Sequence, residues 1–130
     1  MKALLDTQVW LWMLSEPDRL NDEARRLVED TANTLYLSAA SSWEIAIKWG
    51  LGKLTLPEPP GTYVLDQIRT SGVTPLPIAH SHALGVARLE AHHRDPFDRL
   101  LVAQAAAESV PILTADPVLA LYPVENIPAG

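Results

Sequence analysis

The sequence lacks several residue types and patterns, and each absence excludes a class of site. It has no cysteine, so disulfides, thiolate zinc sites and thiol nucleophiles are excluded. It has no excess of basic residues: 10 Lys and Arg stand against 16 Asp and Glu, for a formal charge of −6. Binding of a polyanion would therefore require bound cations, because nucleic-acid-binding domains usually carry a basic patch.

Long apolar runs are also missing. VWLWML is far shorter than the ~20 residues of a membrane span, and MKALLDT reaches Asp6 too early for the apolar region of a signal peptide. These features predict a soluble, cytoplasmic protein. The length of 130 residues and the hydrophobic content of 48% predict one domain over residues 1–130, with a single buried core.

Short apolar segments alternate with segments of helical periodicity. This alternation predicts a three-layer α/β/α domain with a short, mostly parallel central sheet. Asn21 is a predicted N-cap, and the prolines of PEPPG at 57–61 predict a loop. The predicted strands are residues 2–5, 35–38, 111–116 and 124–127, with an extended segment at 73–78; the predicted helices are residues 21–32, 62–69, 81–93 and 97–109, and one that begins after Ser41 and ends at the glycines at 50 and 52.

Four acidic residues occupy related positions in this predicted order. Asp6 and Asp116 each follow a strand, whereas Glu44 and Asp98 are expected in the first turns of helices. Ligands of open parallel sheets bind at the carboxyl ends of the strands. We therefore expect the four side chains to converge at one edge of the sheet.

Each acid also has a purely structural interpretation. Ser41-x-x-Glu44 matches a capping box, and Asp6 and Asp116 are typical of Asx-turns after strands. In HHRDPFDRLLVAQA at 92–105, Asp95 is a good N-cap, followed by Pro96 at the first helical position. Local interpretations leave unexplained why all four acids fall at corresponding positions.

Convergence would require cations. Two carboxylates ~4 Å apart repel by about 4 kcal/mol at an effective dielectric near 20, so four of them need protons or bound metal. Carboxylate oxygens suit Mg²⁺ or Mn²⁺. His92 and His93 are adjacent rather than spaced as a zinc pair, and we interpret them as a helix-end or surface pair outside the metal site.

Four motifs occur in a fixed order: LLDT, SSWEIAIKWGLGKL, RDPFDRLLVAQA and ILTAD. Together they cover nearly the whole chain, which closely resembles a PIN-domain ribonuclease of the VapC toxin type. The resemblance implies a Mg²⁺- or Mn²⁺-dependent endoribonuclease, which forms a homodimer and is neutralised by an antitoxin whose C-terminal segment lies over the active-site groove. It assigns Asp6, Glu44, Asp98 and Asp116 as catalytic metal ligands, with the hydroxyls of Thr7 and Thr114 beside them. Asp98 rather than Asp95 matches the family, and Asp95 is expected to support the site as the helix cap.

The predicted chemistry is hydrolysis of an RNA phosphodiester by a metal-activated water. One or two cations would polarise the phosphodiester, make hydroxide available near neutral pH and stabilise the departing 3′-oxygen. The expected products carry a 5′-phosphate and a 3′-hydroxyl. The four acids account for −4 of the formal charge of −6, so the acidity of the chain does not argue against RNA.

Basic and aromatic residues near the acids are candidates for contacts. Lys48, Lys53, Arg94 and Arg99 could bind phosphates, with Arg99 the best placed by sequence, although each could equally be a solvated surface charge. The tryptophans at 10, 12, 43 and 49 are expected to pack in the core or at a subunit interface rather than to stack on bases.

Two other functional classes remain open. The first is a non-catalytic PIN-like binding module, in which the acids serve only as caps and turns. The second is a receiver-type phosphate-accepting domain. That class would need paired acids after the first strand and a lysine after the last, but Asp6 is followed by Thr7 and the C-terminal segment has no lysine.

Overall fold

The chain folds around a five-stranded sheet in which every strand pairing is parallel. The computed structural model describes all 130 residues. The strand order is β3-β2-β1-β4-β5. The elements are β1 Lys2–Leu5, α1 Thr7–Ser15, α2 Asp22–Glu29, β2 Thr34–Ser38, α3 Ala39–Gly50, α4 Pro60–Ser71, β3 Thr74–Leu76, α5 His80–Gly85, α6 Pro96–Glu108, β4 Ile112–Thr114 and β5 Asn126–Pro128, with short 3₁₀ turns at Pro17–Arg19, Val86–Arg88 and Pro117–Leu121.

The central strand β1 separates two hydrophobic clusters. Ala3 and Leu5 belong to one cluster, and Leu4 belongs to the other, because successive strand residues point to opposite faces. The first cluster includes residues of α1, α2 and α4, and the second is built largely from α6. Helices therefore cover both faces of the sheet, and the predicted three-layer α/β/α fold is confirmed.

Several predicted boundaries are wrong. The segment Thr7–Ser15, which we assigned to no element, is helix α1. Its residues Val9 and Trp10 are buried in the hydrophobic core. Helix α3 begins at Ala39 rather than after Ser41, because Ser38 is its N-cap and accepts a hydrogen bond from the Ala40 N–H. Glu44 therefore lies in the second turn of α3, and the proposed Ser41–Glu44 capping box does not exist.

The helix predicted over 81–93 is also too long. Helix α5 is limited to His80–Gly85, a 3₁₀ turn follows at Val86–Arg88, and residues 89–95 form no regular element. The last strand lies at Asn126–Pro128 instead of 124–127. No helix has both the length and the apolar character required to cross a membrane.

The sheet order brings distant parts of the chain together at one edge. Leu5 of β1 is in register with Leu113 of β4, and the Asp6 N–H donates to the Leu113 carbonyl at 2.9 Å. The residues that follow these two strands are therefore neighbours, and β2 leads directly into α3 on the other side of β1. This arrangement places the ends of β1, β2 and β4 around one site.

Candidate active site

An acidic pocket of ≈ 590 Å³ lies at this edge of the sheet. Carboxyl groups from four separate parts of the chain line it, so the convergence expected from the sequence is present in the fold. The pocket also contains two lysines and a small apolar wall. Its lining residues are Asp6, Thr7, Gln8, Leu11, Glu44, Ile45, Lys48, Lys53, Leu54, Asp95, Asp98, Ala115 and Asp116.

Asp6 is placed by the end of β1 and oriented by Thr114 at the end of β4. The Thr114 hydroxyl donates to Asp6 Oδ2 at 2.6 Å and accepts from the Asp116 N–H at 3.0 Å. The Asp6 side chain forms no helix-cap hydrogen bond, although the residue occupies the N-cap position of α1. Burial raises the pKa of Asp6; the Thr114 hydrogen bond opposes this, and the charges of Glu44 and Asp116 add to it. Asp6 is thus a buried carboxyl group without a capping role.

Glu44 enters the pocket from α3 and is only 5% exposed. Its Oε2 accepts a hydrogen bond from Lys48 Nζ at 2.7 Å, one turn later on the same helix. Its Oε1 is buried and has no hydrogen-bond partner. Such an atom is costly to bury because carboxylate oxygens lose their water without compensation. The Lys48 pKa is raised, mainly by this hydrogen bond to Glu44.

Asp95 and Asp98, both at the start of α6, direct their carboxyl groups to different surroundings. Asp95 is the N-cap, and its Oδ1 accepts hydrogen bonds from the Phe97 and Asp98 N–H groups at 2.9 and 3.2 Å. Asp98, in the first turn, turns its carboxyl group into the pocket instead. The pKa of Asp98 is raised to about 8; burial is the largest cause, followed by the charges of Asp6, Asp95, Glu44 and Asp116.

Asp116 forms the expected turn and also faces the acidic pocket. Its Oδ1 accepts a hydrogen bond from the Val118 N–H at 3.0 Å, which is the expected turn and caps the 3₁₀ segment Pro117–Leu121. It also lines the acidic pocket. Capping by one oxygen leaves the remaining lone pairs of the carboxylate available for another partner.

The donor set fits a hard divalent cation. All of the acidic groups offer oxygen ligands, which Mg²⁺ and Mn²⁺ prefer, and Glu44 Oε1 is a buried acceptor that lacks a partner. Burial is the largest cause of the raised pKa values of Asp6 and Asp98, and the neighbouring negative charges that add to it are charges that a cation would compensate. As placed, no three His, Asp or Glu side chains form a group that could hold a metal ion.

Of the four basic residues predicted to contact phosphate, two line the acidic pocket and two do not. Lys48 and Lys53 line the pocket, whereas Arg94 is exposed outside it. Arg99, our preferred contact by sequence, does not line the pocket either. Its guanidinium donates to the Glu90 carbonyl and to the Tyr122 hydroxyl, at 2.9 and 3.1 Å. As placed, Arg99 is therefore unavailable to a phosphate beside the acids.

His93 was predicted to lie outside the metal site, but in the structure it contacts Asp98. His93 Nε2 lies 3.4 Å from Asp98 Oδ2, and His93 Nδ1 lies 2.6 Å from the Tyr122 hydroxyl. Only the spacing of His93 and Asp98 around a helix start could have suggested this contact. Tyr122 lies 29 residues from His93 along the chain and carries no local signal.

Thr7 and the tryptophans are the remaining residues for which the sequence suggested a role. The Thr7 hydroxyl donates to Ser41 Oγ at 2.8 Å and so connects the start of α1 to α3 beneath the acids. Trp10 is fully buried in the core, whereas Trp43 and Trp49 are 56% and 42% exposed. Trp43 packs edge-on against Phe97 of α6, with ring centroids 5.0 Å apart.

Comparisons with known proteins agree with the fold. A family model described as the PIN domain matches residues 3–124. Ribonuclease VapC22 of Mycobacterium tuberculosis is 31% identical over 117 residues, which cover 88% of this chain and 86% of that protein. Ribonuclease VapC16 of the same organism is 51% identical over 61 residues, but this match spans only 47% of the chain and 43% of VapC16.

Solved structures match over almost the full chain. The crystal structure of VapBC2 from Rickettsia felis, bound to a promoter DNA fragment, aligns with a TM-score of 0.72 at 16% identity and covers 100% of both chains. FitAcB from Neisseria gonorrhoeae aligns with a TM-score of 0.59 at 22% identity, covering 98% of this chain and 96% of that chain. The family resemblance carried by the four motifs is confirmed: this chain belongs to the PIN domain family.

Proposed function

We propose that this chain is a metal-dependent endoribonuclease and the toxin of a toxin–antitoxin pair, with residues 1–130 as one nuclease domain. Its similarity to ribonucleases VapC16 and VapC22 supports RNA as the substrate. The observation that carries the proposal is the unpartnered Glu44 Oε1, buried in a pocket with four further carboxyl groups. A caps-and-turns role for the acids leaves this atom without a purpose.

The ligands in this proposal are Asp6, Glu44, Asp98 and Asp116. When bound, Mg²⁺ or Mn²⁺ supplies neutralising charge for the phosphodiester and a more acidic water. The chain holds the ligands in place through neighbouring groups: Thr114 orients Asp6, and Lys48 fixes one oxygen of Glu44. The exposed Lys53 adds positive charge at the pocket, where a substrate phosphate would lie.

The shape of the surface suits a polymeric substrate. A second groove of ≈ 520 Å³ shares Gln8, Leu11 and Leu54 with the acidic pocket, so the two form a continuous cleft along α1. We propose that RNA occupies this cleft and that the C-terminal segment of an antitoxin covers it in the neutralised complex. The similar solved structures, VapBC2 and FitAcB, support a protein partner of this kind.

A homodimer is part of the same proposal. Trp43 and Ile47 of α3 and Leu51, the C-cap residue that follows it, are exposed and recur every four residues, so they form an apolar stripe along one side of the helix and its end. Stripes of this kind mark interaction surfaces of soluble proteins. The stripe begins beside Glu44, so a second copy bound there would lie next to the acidic pocket.

The test is cleavage of a total RNA pool by the purified chain with Mg²⁺ or Mn²⁺, with chelator, and with Asp98→Asn. We expect cleavage only with metal, and a loss of at least 100-fold in Asp98→Asn. Asp30→Asn is the matched control, because Asp30 is an exposed acid far from the pocket whose turn hydrogen bond an Asn can keep. Cleavage that survives chelator or loss of Asp98 would contradict the proposal.

The same variants separate this function from a binding module. In a binding module whose acids are only caps and turns, calorimetry would detect no Mn²⁺ binding that disappears in Asp6→Asn. For the nuclease we expect Mn²⁺ binding in the unmodified chain and a loss of at least tenfold in affinity in Asp6→Asn.

A further inference from the structure

A chain of hydrogen bonds leads from the back of α6 to the acidic pocket. It starts at the Arg99 guanidinium, passes through the Tyr122 hydroxyl and the His93 ring, and ends at the Asp98 carboxyl group. None of Arg99, Tyr122 and His93 lines the pocket itself. The hydrogen bond of His93 to Asp98 connects these three residues to the pocket.

The burial of the Tyr122 hydroxyl sets the direction of the hydrogen bonds in this chain. Arg99 can only donate, so the Tyr122 oxygen accepts at 3.1 Å. The Tyr122 hydroxyl hydrogen still needs an acceptor, because a buried donor without a partner is costly, and His93 Nδ1 is the acceptor within reach, 2.6 Å away. In the neutral ring the remaining hydrogen is then on Nε2, which faces Asp98 Oδ2 at 3.4 Å. The hydrogen-bond chain therefore selects one histidine tautomer.

The start of the chain is held firmly in the fold. The Arg99 guanidinium also donates to the carbonyl of Glu90 at 2.9 Å and lies near those of Leu89 and Val86, at 3.4 and 3.5 Å. Tyr122 is only 3% exposed and packs in the hydrophobic cluster around α6. Arg99 therefore holds two parts of the hydrogen-bond chain: the Tyr122 hydroxyl and the non-helical segment 89–95, which carries His93.

We propose that Arg99, Tyr122 and His93 are positioning residues that orient the Asp98 carboxyl group for cation binding. The His93 N–H fixes Oδ2 and leaves Oδ1 for the cation, and hydrogen bonds of this kind to ligating carboxylates influence metal affinity. This inference rests on the proposed function, since it assigns a purpose to Asp98. It also gives Arg99 a role other than the phosphate contact expected from the sequence.

The first test removes one oxygen atom. Tyr122→Phe keeps the buried ring but removes the hydroxyl, and Tyr36→Phe in β2, outside the hydrogen-bond chain, is the matched control. We expect Mn²⁺ affinity, measured by calorimetry, to fall 10- to 100-fold in Tyr122→Phe and to be unchanged in Tyr36→Phe. Nitrogen NMR of the His93 ring in metal-free protein should show the Nε2–H tautomer as the major form. In Tyr122→Phe the Nε2–H tautomer should no longer be the major form.

The second test exchanges His93 itself. His93→Gln can place an amide N–H near the position of Nε2, whereas the shorter side chain of His93→Asn reaches only as far as Nδ1. We expect Gln to restore most of the Mn²⁺ affinity and the RNA turnover number that Asn loses, with KM for RNA unchanged in both. A residue with only a structural role would not produce rescue by the donor-preserving variant. This pair also decides the matter if Tyr122→Phe does not fold.

Failure of this inference is distinguishable from failure of the nuclease proposal. If Asp98→Asn loses Mn²⁺ binding and cleavage while Tyr122→Phe and His93→Asn bind and cleave like the unmodified chain, only the positioning role is overturned. A dominant Nδ1–H tautomer of His93 would overturn it as well. If the unmodified chain neither binds Mn²⁺ nor cleaves RNA, the nuclease proposal fails together with the positioning role.

Discussion

The Thr114 hydroxyl donates a 2.6 Å hydrogen bond to the Asp6 carboxylate, although 108 residues separate the two along the chain. The same oxygen accepts from the Asp116 N–H, so one threonine connects two of the acids in the pocket. Parallel pairing of β1 with β4 makes this contact possible. The acidic site therefore depends on the pairing of β1 with β4 and lies at the edge where these inner strands end.

Thr114→Val should destabilise the chain and disturb Asp6. Valine has a similar shape but leaves the Asp116 N–H and Asp6 Oδ2 without their partner, at a cost of about 1–3 kcal/mol. Because the Thr114 hydrogen bond lowers the pKa of Asp6, its removal should raise that pKa further. Denaturant unfolding measures the first effect and carboxyl NMR titration the second. Thr114→Ser keeps the hydroxyl, and equal losses in Ser and Val would show that the hydrogen bond is unimportant.

The stability of the chain in chelator should depend on pH through Asp98. Its folded-state pKa of about 8 lies above the ordinary value of 3.8, so the folded chain keeps a proton that the unfolded chain has lost. The corresponding stability is fully present below pH 3.8 and is lost as pH rises through about 8. Asp98→Asn should therefore be more stable than the unmodified chain at pH 8.5, with little difference near pH 4.

We expect a gain of about 1–3 kcal/mol for Asp98→Asn at pH 8.5. This is less than the full value of about 1.4 kcal/mol per pKa unit, because solvent screens part of the interaction. Thermal unfolding from pH 4 to 9 measures it, with Asp30→Asn as the control. Parallel stability curves for Asp98→Asn and the unmodified chain would contradict the close approach of the carboxylates.

Substitutions of Asp95 should show its role as the N-cap of α6, separately from the effects of Asp98. Asp95→Ala removes the acceptor for the Phe97 and Asp98 N–H groups and should cost about 0.5–2 kcal/mol, whereas Asp95→Asn keeps an oxygen there. The Asn variant also removes a charge that raises the Asp98 pKa. Urea unfolding of both variants is the measurement. Equal destabilisation by Ala and Asn would argue against the cap as the main role.

The RNA products should identify the nucleophile. Attack by water leaves a 5′-phosphate and a 3′-hydroxyl, whereas attack by the ribose 2′-hydroxyl leaves a 2′,3′-cyclic phosphate. Mass spectrometry of the fragments distinguishes them, and ligation of an adaptor that needs a 5′-phosphate gives an independent readout. Cyclic phosphate ends would refute hydrolysis by water even if cleavage depends on metal.

The sequence predicted the elements that depend on local signals. Asn21 and Asp95 cap their helices as expected, because an N-cap needs only a side-chain oxygen and the next few N–H groups. By contrast, α1 went unrecognised because its residues are apolar on nearly every side and its Asp6 N-cap forms no side-chain cap bond. Packing of Val9 and Trp10 in the core stabilises that helix, and local sequence does not reveal such packing.

The sequence by itself determined the alternation of strands and helices, apart from α1, and the positions of four acids near their ends. Alternation and periodicity are properties of neighbouring residues, so they are readable without the fold. The ion pair of Lys48 with Glu44 is equally local, because the two residues lie one helical turn apart. Only the tertiary structure decided which other side chains meet the acids: Thr114 at Asp6 and His93 at Asp98. Contacts such as Thr114 with Asp6 depend on strand order, and that of Tyr122 with His93 on the path of a loop. The outcome for Arg99 follows from the same cause, because nearby backbone carbonyls compete for its guanidinium.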